Sequence, residues 1–239
     1  MTPVLLPGNM CDARLWRGGD GGIVETLGGE GAVHDAALAS DDSIVDMAAR
    51  TLGHIDGDDL LPTGFSMGAI VALEMARQAP GRIAGLVLMG LNAGPDLPDR
   101  AAHRPRQQVE VCGGGLERVL VEELKPNYLA AANRGDAELL ALLRDMGLTL
   151  GPDVFVRQSE ALRTRDDLTE VLRSVAVPIL LLCGAEDALC PPAWHRRWAG
   201  LARDATLHVV AGAGHMLPLE APALVADHLQ TWLNERPNR

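Results

Sequence analysis

No two cysteines of this chain stand as a C-x-x-C pair: Cys11, Cys112, Cys183 and Cys190 are scattered. That spacing suits neither a structural zinc nor a redox dithiol, so four free thiols are expected, with Cys190 near a site, in a reducing compartment. Long apolar runs are missing too. None approaches the roughly 18 residues needed to cross a bilayer. The start, Met1-Thr2-Pro3-Val4-Leu5-Leu6, has no basic region ahead of an apolar one. Positive charge is also short, with 21 Lys and Arg against 32 Asp and Glu, for a formal net charge of −11. Such a chain repels phosphate backbones and anionic lipid alike. Binding to nucleic acid or membrane is therefore not expected, and the expected location is the cytoplasm. The sequence has no metal-ligand cluster, no G-x-G-x-x-G and no P-loop, so no cofactor is expected.

What is present is a chain of 239 residues, 47% hydrophobic, with a mean hydropathy of +0.07. That suits one globular domain with a small insertion. Short apolar runs alternate with helical patterns, as in an α/β protein with a mostly parallel sheet. Val4-Leu5-Leu6 reads as a strand and Val33 to Leu38 as a weaker one. Leu60-Leu61 leads through Gly64-Phe65-Ser66 into a helix from about Met67 to Ala79. Further strands are expected at Leu86 to Met89, Val177 to Leu182 and Leu207 to Val210, with helices at Ser43 to Leu52 and Ala221 to Leu233. Pro62 lies where a central strand should run, so a bulge or early strand end is expected there. From Asp96 to Asp167 the pattern is charged and helical, with no convincing strand. The expected division is an α/β core of residues 1–95 and 168–239, interrupted by a helical cap at residues 96–167.

Gly64-Phe65-Ser66-Met67-Gly68 matches G-x-S-x-G between a strand and a helix. With five serines and 26 glycines, roughly 0.06 such matches arise by accident. A serine on so sharp a turn needs neighbours without side chains two positions away on each side. Its hydroxyl then points outward, and the Met67 N–H sits at a helix N-terminus, where it can donate to an oxyanion. A serine also needs a base and a third group to hold that base. Gly184-Ala185-Glu186-Asp187 and Gly212-Ala213-Gly214-His215 each follow a strand, in the order that such a site requires. Asp187 is preferred as the acid, with Glu186 as its rival. Glycines before His215 suggest a mobile, positioned imidazole. The loop Pro7-Gly8-Asn9-Met10 should supply the second oxyanion donor, from the Asn9 N–H or, alternatively, that of Met10.

Together with Trp16, these segments resemble the α/β-hydrolase superfamily over nearly the whole chain. The similarity is closest to small capped carboxylesterases and enol-lactonases. It implies an α/β-hydrolase fold of about six strands with helices on both faces and a helical cap. It also implies a triad of Ser66, Asp187 and His215 with oxyanion donors at Asn9 and Met67. The implied activity is hydrolysis of a small carboxylic ester, thioester or lactone through an acyl-enzyme. Carbon–carbon bond hydrolysis, or a lyase, perhydrolase or receptor role, is the alternative on this scaffold. Phe65, Met89, Leu91, Tyr128 and Met216 are expected to line an apolar substrate pocket, with Leu217, Leu129 and Met146 as further candidates. Of the cap arginines at 100, 104, 106, 118 and 134, one could hold a substrate carboxylate, although a solvated charged face is commoner. The expected partner is a small ester-type molecule, and the expected state a monomer or homodimer.

Overall fold

The computed structural model describes residues 1–18, 22–124 and 128–236. In chain order the first half runs β1 (Thr2–Leu6), α1 (Arg14–Arg17), α2 (Ile23–Thr26), β2 (His34–Asp35), α3 (Ile44–Gly53), β3 (Leu60–Phe65), α4 (Met67–Gln78) and β4 (Leu86–Met89). Helices then follow without a described strand: α5 (Pro98–Glu110), α6 (Leu116–Arg118), α7 (Ala137–Thr164) and α8 (Thr169–Ser174). The sheet resumes with β5 (Ile179–Gly184), then α9 (Pro192–Leu201), β6 (Ala205–Val210), α10 (Leu217–Glu220) and α11 (Pro222–Asn234).

The six strands lie in the order β2-β1-β3-β4-β5-β6, and every neighbouring pair is parallel. Alternation along each strand sorts side chains between two cores. Val4, Leu6, Leu86, Leu88, Ile179 and Leu181 face the core shared with α3, α4 and α8. Leu5, Val87, Met89, Leu180 and Leu182 face the one shared with α1, α2 and α11. Both faces are thus covered, which is why the strands read as continuous apolar runs. Helix α4 is buried from Met67 to Ala76, as its shortage of polar positions foretold. Helix α3 starts where Ser43 accepts the Asp46 N–H at 3.0 Å and donates its hydroxyl to the Asp46 carboxylate at 2.6 Å.

Two expectations need correction. The run from Val33 to Leu38 forms only a two-residue strand at the sheet edge, and both of its residues are exposed. Pro62 neither ends nor bulges its strand: β3 is continuous, with Val4 opposite Pro62 and Leu5 opposite Thr63. Strand residues point their amides to alternate sides. Leu60 faces β4's side, where its carbonyl accepts from Ala84 N, so Pro62 faces that side too. Pairing with β4 begins only at Thr63 and Val87. The missing N–H of Pro62 therefore falls beside the turn before β4, where no ladder bond is lost.

Helix α7 is bent at Gly151, whose φ of 82° and ψ of 176° are not helical, and restarts at Pro152. Its second half carries Val154, Phe155 and Gln158 inward. Val154 and Phe155 pack with Met10, Val111, Leu116, Val119 and Leu120 in a third, smaller apolar cluster. That cluster joins the helices between β4 and β5 to the loop after β1, at the carboxyl ends of the strands.

Candidate active site

Ser66 alone makes the turn between β3 and α4, at φ 52° and ψ −112°. An L-residue seldom adopts this conformation, which costs on the order of 1–3 kcal/mol. The turn is held by the Ser66 N–H, which donates to Met89 O at 2.8 Å. Crowding accounts for the glycine spacing around it. A Cβ on Gly64 would lie 2.6 Å from Ala69 Cα, and one on Gly68 would lie 2.7 Å from Pro7 O. Strand, helix and first loop meet too closely at the elbow for any side chain at those two positions.

His215 brings its Nε2 to 3.0 Å from Ser66 Oγ and its Nδ1 to 2.8 Å from Asp187 Oδ2. With Asp187 ionised, Nδ1–H donates to the carboxylate and Nε2 is left to accept the Ser66 hydroxyl proton. Burial opposes the charge on Asp187. The neighbouring His215, together with the N–H groups of Cys190 and Leu189, nevertheless holds its carboxyl below the ordinary range. Both of those N–H groups donate to Oδ1 at 2.8 Å. Glu186 turns the other way and accepts the Ala131 N–H at 2.9 Å. Of the glycines before His215, Gly212 takes a positive φ of 73° and Gly214 permits a close approach. A Cβ on Gly214 would lie 2.5 Å from Ala130 N, and the His215 N–H donates to Tyr128 O at 2.7 Å. Glu220 fastens the same junction, accepting from Gly214 N, Ala130 N and Asn133 Nδ2.

The loop after β1 lies against the elbow, since a Cβ on Gly8 would stand 3.4 Å from Ser66 Cβ. Within it, the Met10 N–H donates to Gln158 Oε1 at 2.8 Å, so that amide is occupied. Among the described residues nothing accepts from the N–H of Asn9 or of Met67. Both Asn9 and Met67 border the cavity that reaches Ser66 and His215. The structure therefore offers two unengaged donors beside the serine, with the neighbouring Met10 amide held away.

That cavity measures about 680 Å³. Of the five residues expected to line it, Tyr128 does, with its ring 6.0 Å from that of His215. Phe65, Met89, Leu91 and Met216 are at most 1% exposed and belong to the packed interior beneath the site. Phe65 still supports the His215 ring at 5.1 Å. Leu217, Leu129 and Met146 are likewise core. The wall is mixed: Arg100, Arg104, Arg106 and Arg165 border the cavity beside Asp96 and Glu123, together with the apolar Ile70, Leu124, Leu162 and Leu189. Arg118 sits in an ion-pair cluster with Glu110, Glu122 and Glu123, and Arg134 donates to Leu129 O.

Several positioning groups were not singled out from the sequence. Arg165 is one, Gln158 and Glu220 are others, and His195 is a fourth. His195 is fully buried and accepts the Leu91 N–H at 3.0 Å, tying the end of β4 to α9. None of them carries a local motif. Among the described residues no disulfide is formed by Cys11, Cys112, Cys183 or Cys190, and Cys190 borders the cavity. Among the described residues no helix is long and apolar enough to cross a membrane, and no group of three or more His, Cys, Asp or Glu is placed to hold a metal.

A parallel sheet bearing a serine on its strand-to-helix elbow, with histidine and aspartate on later strand ends, defines an α/β hydrolase. Comparison with known proteins agrees: residues 4–228 match the alpha/beta hydrolase family, and the chain belongs to it. It is accordingly a member of a hydrolase enzyme family. A 2-succinyl-6-hydroxy-2,4-cyclohexadiene-1-carboxylate synthase of Salmonella newport (strain SL254) is 30% identical over 178 residues, covering 70% of this chain and 65% of that protein. The biotin biosynthesis bifunctional protein BioHC of Cellvibrio japonicus (strain Ueda107) is 24% identical over 189 residues. That match covers 70% of this chain and 34% of the relative's length, so the chain spans only part of either curated protein. Among solved structures, a malate-bound thermophilic esterase from Thermogutta terrifontis superposes with a TM-score of 0.84 at 25% identity, covering 98% of this chain and 90% of that one.

Proposed function

We propose that the protein is a serine hydrolase that cleaves a small carboxylic ester, thioester or lactone through an acyl-enzyme on Ser66. The observation that carries this reading is the continuous relay from Ser66 Oγ through His215 to Asp187, at 3.0 and 2.8 Å, beside the unengaged amides of Asn9 and Met67. In this reaction His215 Nε2 takes the Ser66 proton as Oγ attacks the substrate carbonyl. The N–H groups of Asn9 and Met67 stabilise the oxyanion, and Asp187 orients the imidazole and stabilises its charged form. The imidazolium then protonates the departing alcohol, thiol or lactone oxygen. In the second half, water gives a proton to His215 and attacks the acyl carbonyl, and the acid is released as His215 returns that proton to Ser66 Oγ.

A second reading keeps the same groups for a different bond. The Salmonella relative is named as a synthase, and a serine–histidine pair can remove a proton from carbon without forming an acyl-enzyme. Hydrolysis of p-nitrophenyl esters, acetate through octanoate, by wild type and Ser66→Ala separates the two. Turnover in the wild type that is lost in Ser66→Ala supports the acyl-enzyme. Undiminished turnover in Ser66→Ala overturns it. A fluorophosphonate probe that labels Ser66 in a wild type without esterase activity favours the second reading.

A further inference from the structure

We propose that Arg100, seconded by Arg104, binds a carboxylate carried by the substrate, so that the preferred ester is a half-ester of a dicarboxylic acid. The proposal rests on the ester-hydrolase reading and adds to it a substrate class and a specificity residue. It follows from how the charges of the cavity wall are matched.

The wall's carboxylates are already engaged. Glu123 accepts from Arg106 at 2.6 Å, Arg118 at 2.7 Å and Gln107 at 2.9 Å, and these bonds hold its carboxyl down to about 2. Asp96, with its side chain 3% exposed, is shared by two arginines, Arg104 at 2.6 Å and Arg165 at 3.1 Å. Arg165 is used up as a strut: besides Asp96 it donates to the carbonyls of Gly94, Pro95 and Leu162. Arg104 spends its Nε and one N–H of Nη2 on Asp96, which leaves Nη1 undirected.

Arg100 is different. Its one described bond runs from Nη2 to Leu189 O at 3.2 Å, and it has no carboxylate partner among the described residues. Leu189 in turn donates its N–H to Asp187 Oδ1. Arg100 is thus braced on the carbonyl of a residue whose N–H serves the site's own acid, with Nε, Nη1 and the second N–H of Nη2 uncommitted. A fork of guanidinium donors fits a carboxylate in two-point geometry. Arg100 and Arg104 border the same cavity as Tyr128, whose ring lies 6.0 Å from that of His215.

Charge balance points the same way. The chain as a whole carries −11, yet this one cavity holds two guanidinium charges beyond its own carboxylates, counting four arginines against Asp96 and Glu123. Outside the cavity, Arg118 offsets part of the Glu123 charge and Glu110 part of that of Arg106, so the excess rests on Arg100 and on the Arg104–Asp96–Arg165 group. A neutral acyl chain would leave the Arg100 charge facing apolar atoms at a desolvation cost. A carboxylate would neutralise it and would be drawn in by the local field.

The test compares monomethyl glutarate with its neutral dimethyl ester by acid release, using wild type, Arg100→Gln, Arg100→Lys and, as a control away from the cavity, Arg173→Gln. The expected wild-type preference in kcat/KM for the half-ester is at least tenfold. Arg100→Gln should cut that preference at least tenfold, mainly through KM; Arg100→Lys should recover part of it, and Arg173→Gln should keep it. A wild type with no preference, or a preference that survives Arg100→Gln, overturns the proposal. Calorimetric binding of glutarate to Ser66→Ala reads the same site without turnover. Affinity at least tenfold weaker in Ser66→Ala/Arg100→Gln upholds the carboxylate site even if neither ester is hydrolysed, in which case only the ester-hydrolase reading fails. Absent or unchanged binding overturns the site itself.

Discussion

Gln158 Oε1 accepts the Met10 N–H at 2.8 Å across 148 positions of sequence. The same oxygen takes Asn9 Nδ2 at 3.1 Å, and Gln158 Nε2 donates to Leu38 O at 2.9 Å. One buried amide from the helix between β4 and β5 therefore fixes the loop that carries the Asn9 N–H and, in the proposed reaction, keeps Met10 from competing for the oxyanion.

Replacing it tests that coupling. Gln158→Leu strands the Met10 amide and the Leu38 carbonyl, at about 1–3 kcal/mol for each group. Small misplacement of an oxyanion donor is costly to rate, so kcat on a p-nitrophenyl ester should fall at least tenfold with little change in KM. The kinetics are to be run where urea curves show the variant fully folded. Gln158→Glu keeps an acceptor for Met10 and should recover part of kcat. If kcat in Gln158→Leu matches wild type while stability drops, Gln158 only packs.

The strain at Ser66 makes a different forecast. Alanine and glycine at this position both lack the hydroxyl, but only glycine is at ease at φ 52°. Ordinarily glycine destabilises relative to alanine by roughly 0.5–1 kcal/mol. Here Ser66→Gly should instead exceed Ser66→Ala by about 1 kcal/mol in urea unfolding. The usual order, with alanine the more stable, would mean the elbow is not strained.

Why the elbow and its partners were readable while the cavity wall was read only at Tyr128 and the cap arginines comes down to where their residues are placed. Ser66, Asp187 and His215 each sit in a loop directly after a strand, where glycines mark the turn, so local sequence carried the whole signal. Phe65 and Met89 looked equally well placed, but strand alternation turns both into the core shared with α11. Nearness in sequence to a nucleophile does not say on which side of a sheet a residue lies. The wall is assembled over distance: Arg165 reaches Asp96 across 69 positions and Arg100 reaches Leu189 across 89. Long-range side-chain bonds of that kind leave no periodic or motif signature. The six-strand parallel sheet was legible because buried strands are apolar runs, whereas the two-residue β2 and the tolerated Pro62 depended on neighbours along the sheet edge and before β4.

Asp187 and Glu186 are adjacent carboxylates with opposite surroundings, one buried against His215 and the other bonded to Ala131 N. Asp187→Asn should lower kcat by about 10⁴, since an amide in that place no longer enforces the imidazole's tautomer. Glu186→Gln retains an oxygen for the Ala131 N–H and should stay within a few-fold of wild type. Measured side by side on one ester, the reverse ranking would reassign the acid.

The last expectation concerns acid stability. His195 is fully buried, and its Nε2 accepts the Leu91 N–H, so the folded protein holds the ring neutral. Burial pushes its pKa down to about 4, from an unfolded value near 6.5. Between those values the unfolded chain takes up a proton that the folded chain refuses. Stability from the neutral ring is thus fully present above about pH 6.5 and is lost as pH falls toward 4, by at most about 3 kcal/mol. A glutamine side chain would keep an acceptor for Leu91 without titrating, so the substitution His195→Gln should flatten this dependence. Urea midpoints for both proteins at pH 7 and pH 4.5 make the comparison, with all other titrating groups common to both. Parallel declines in wild type and variant would show that His195 is not the group that loosens the fold in acid.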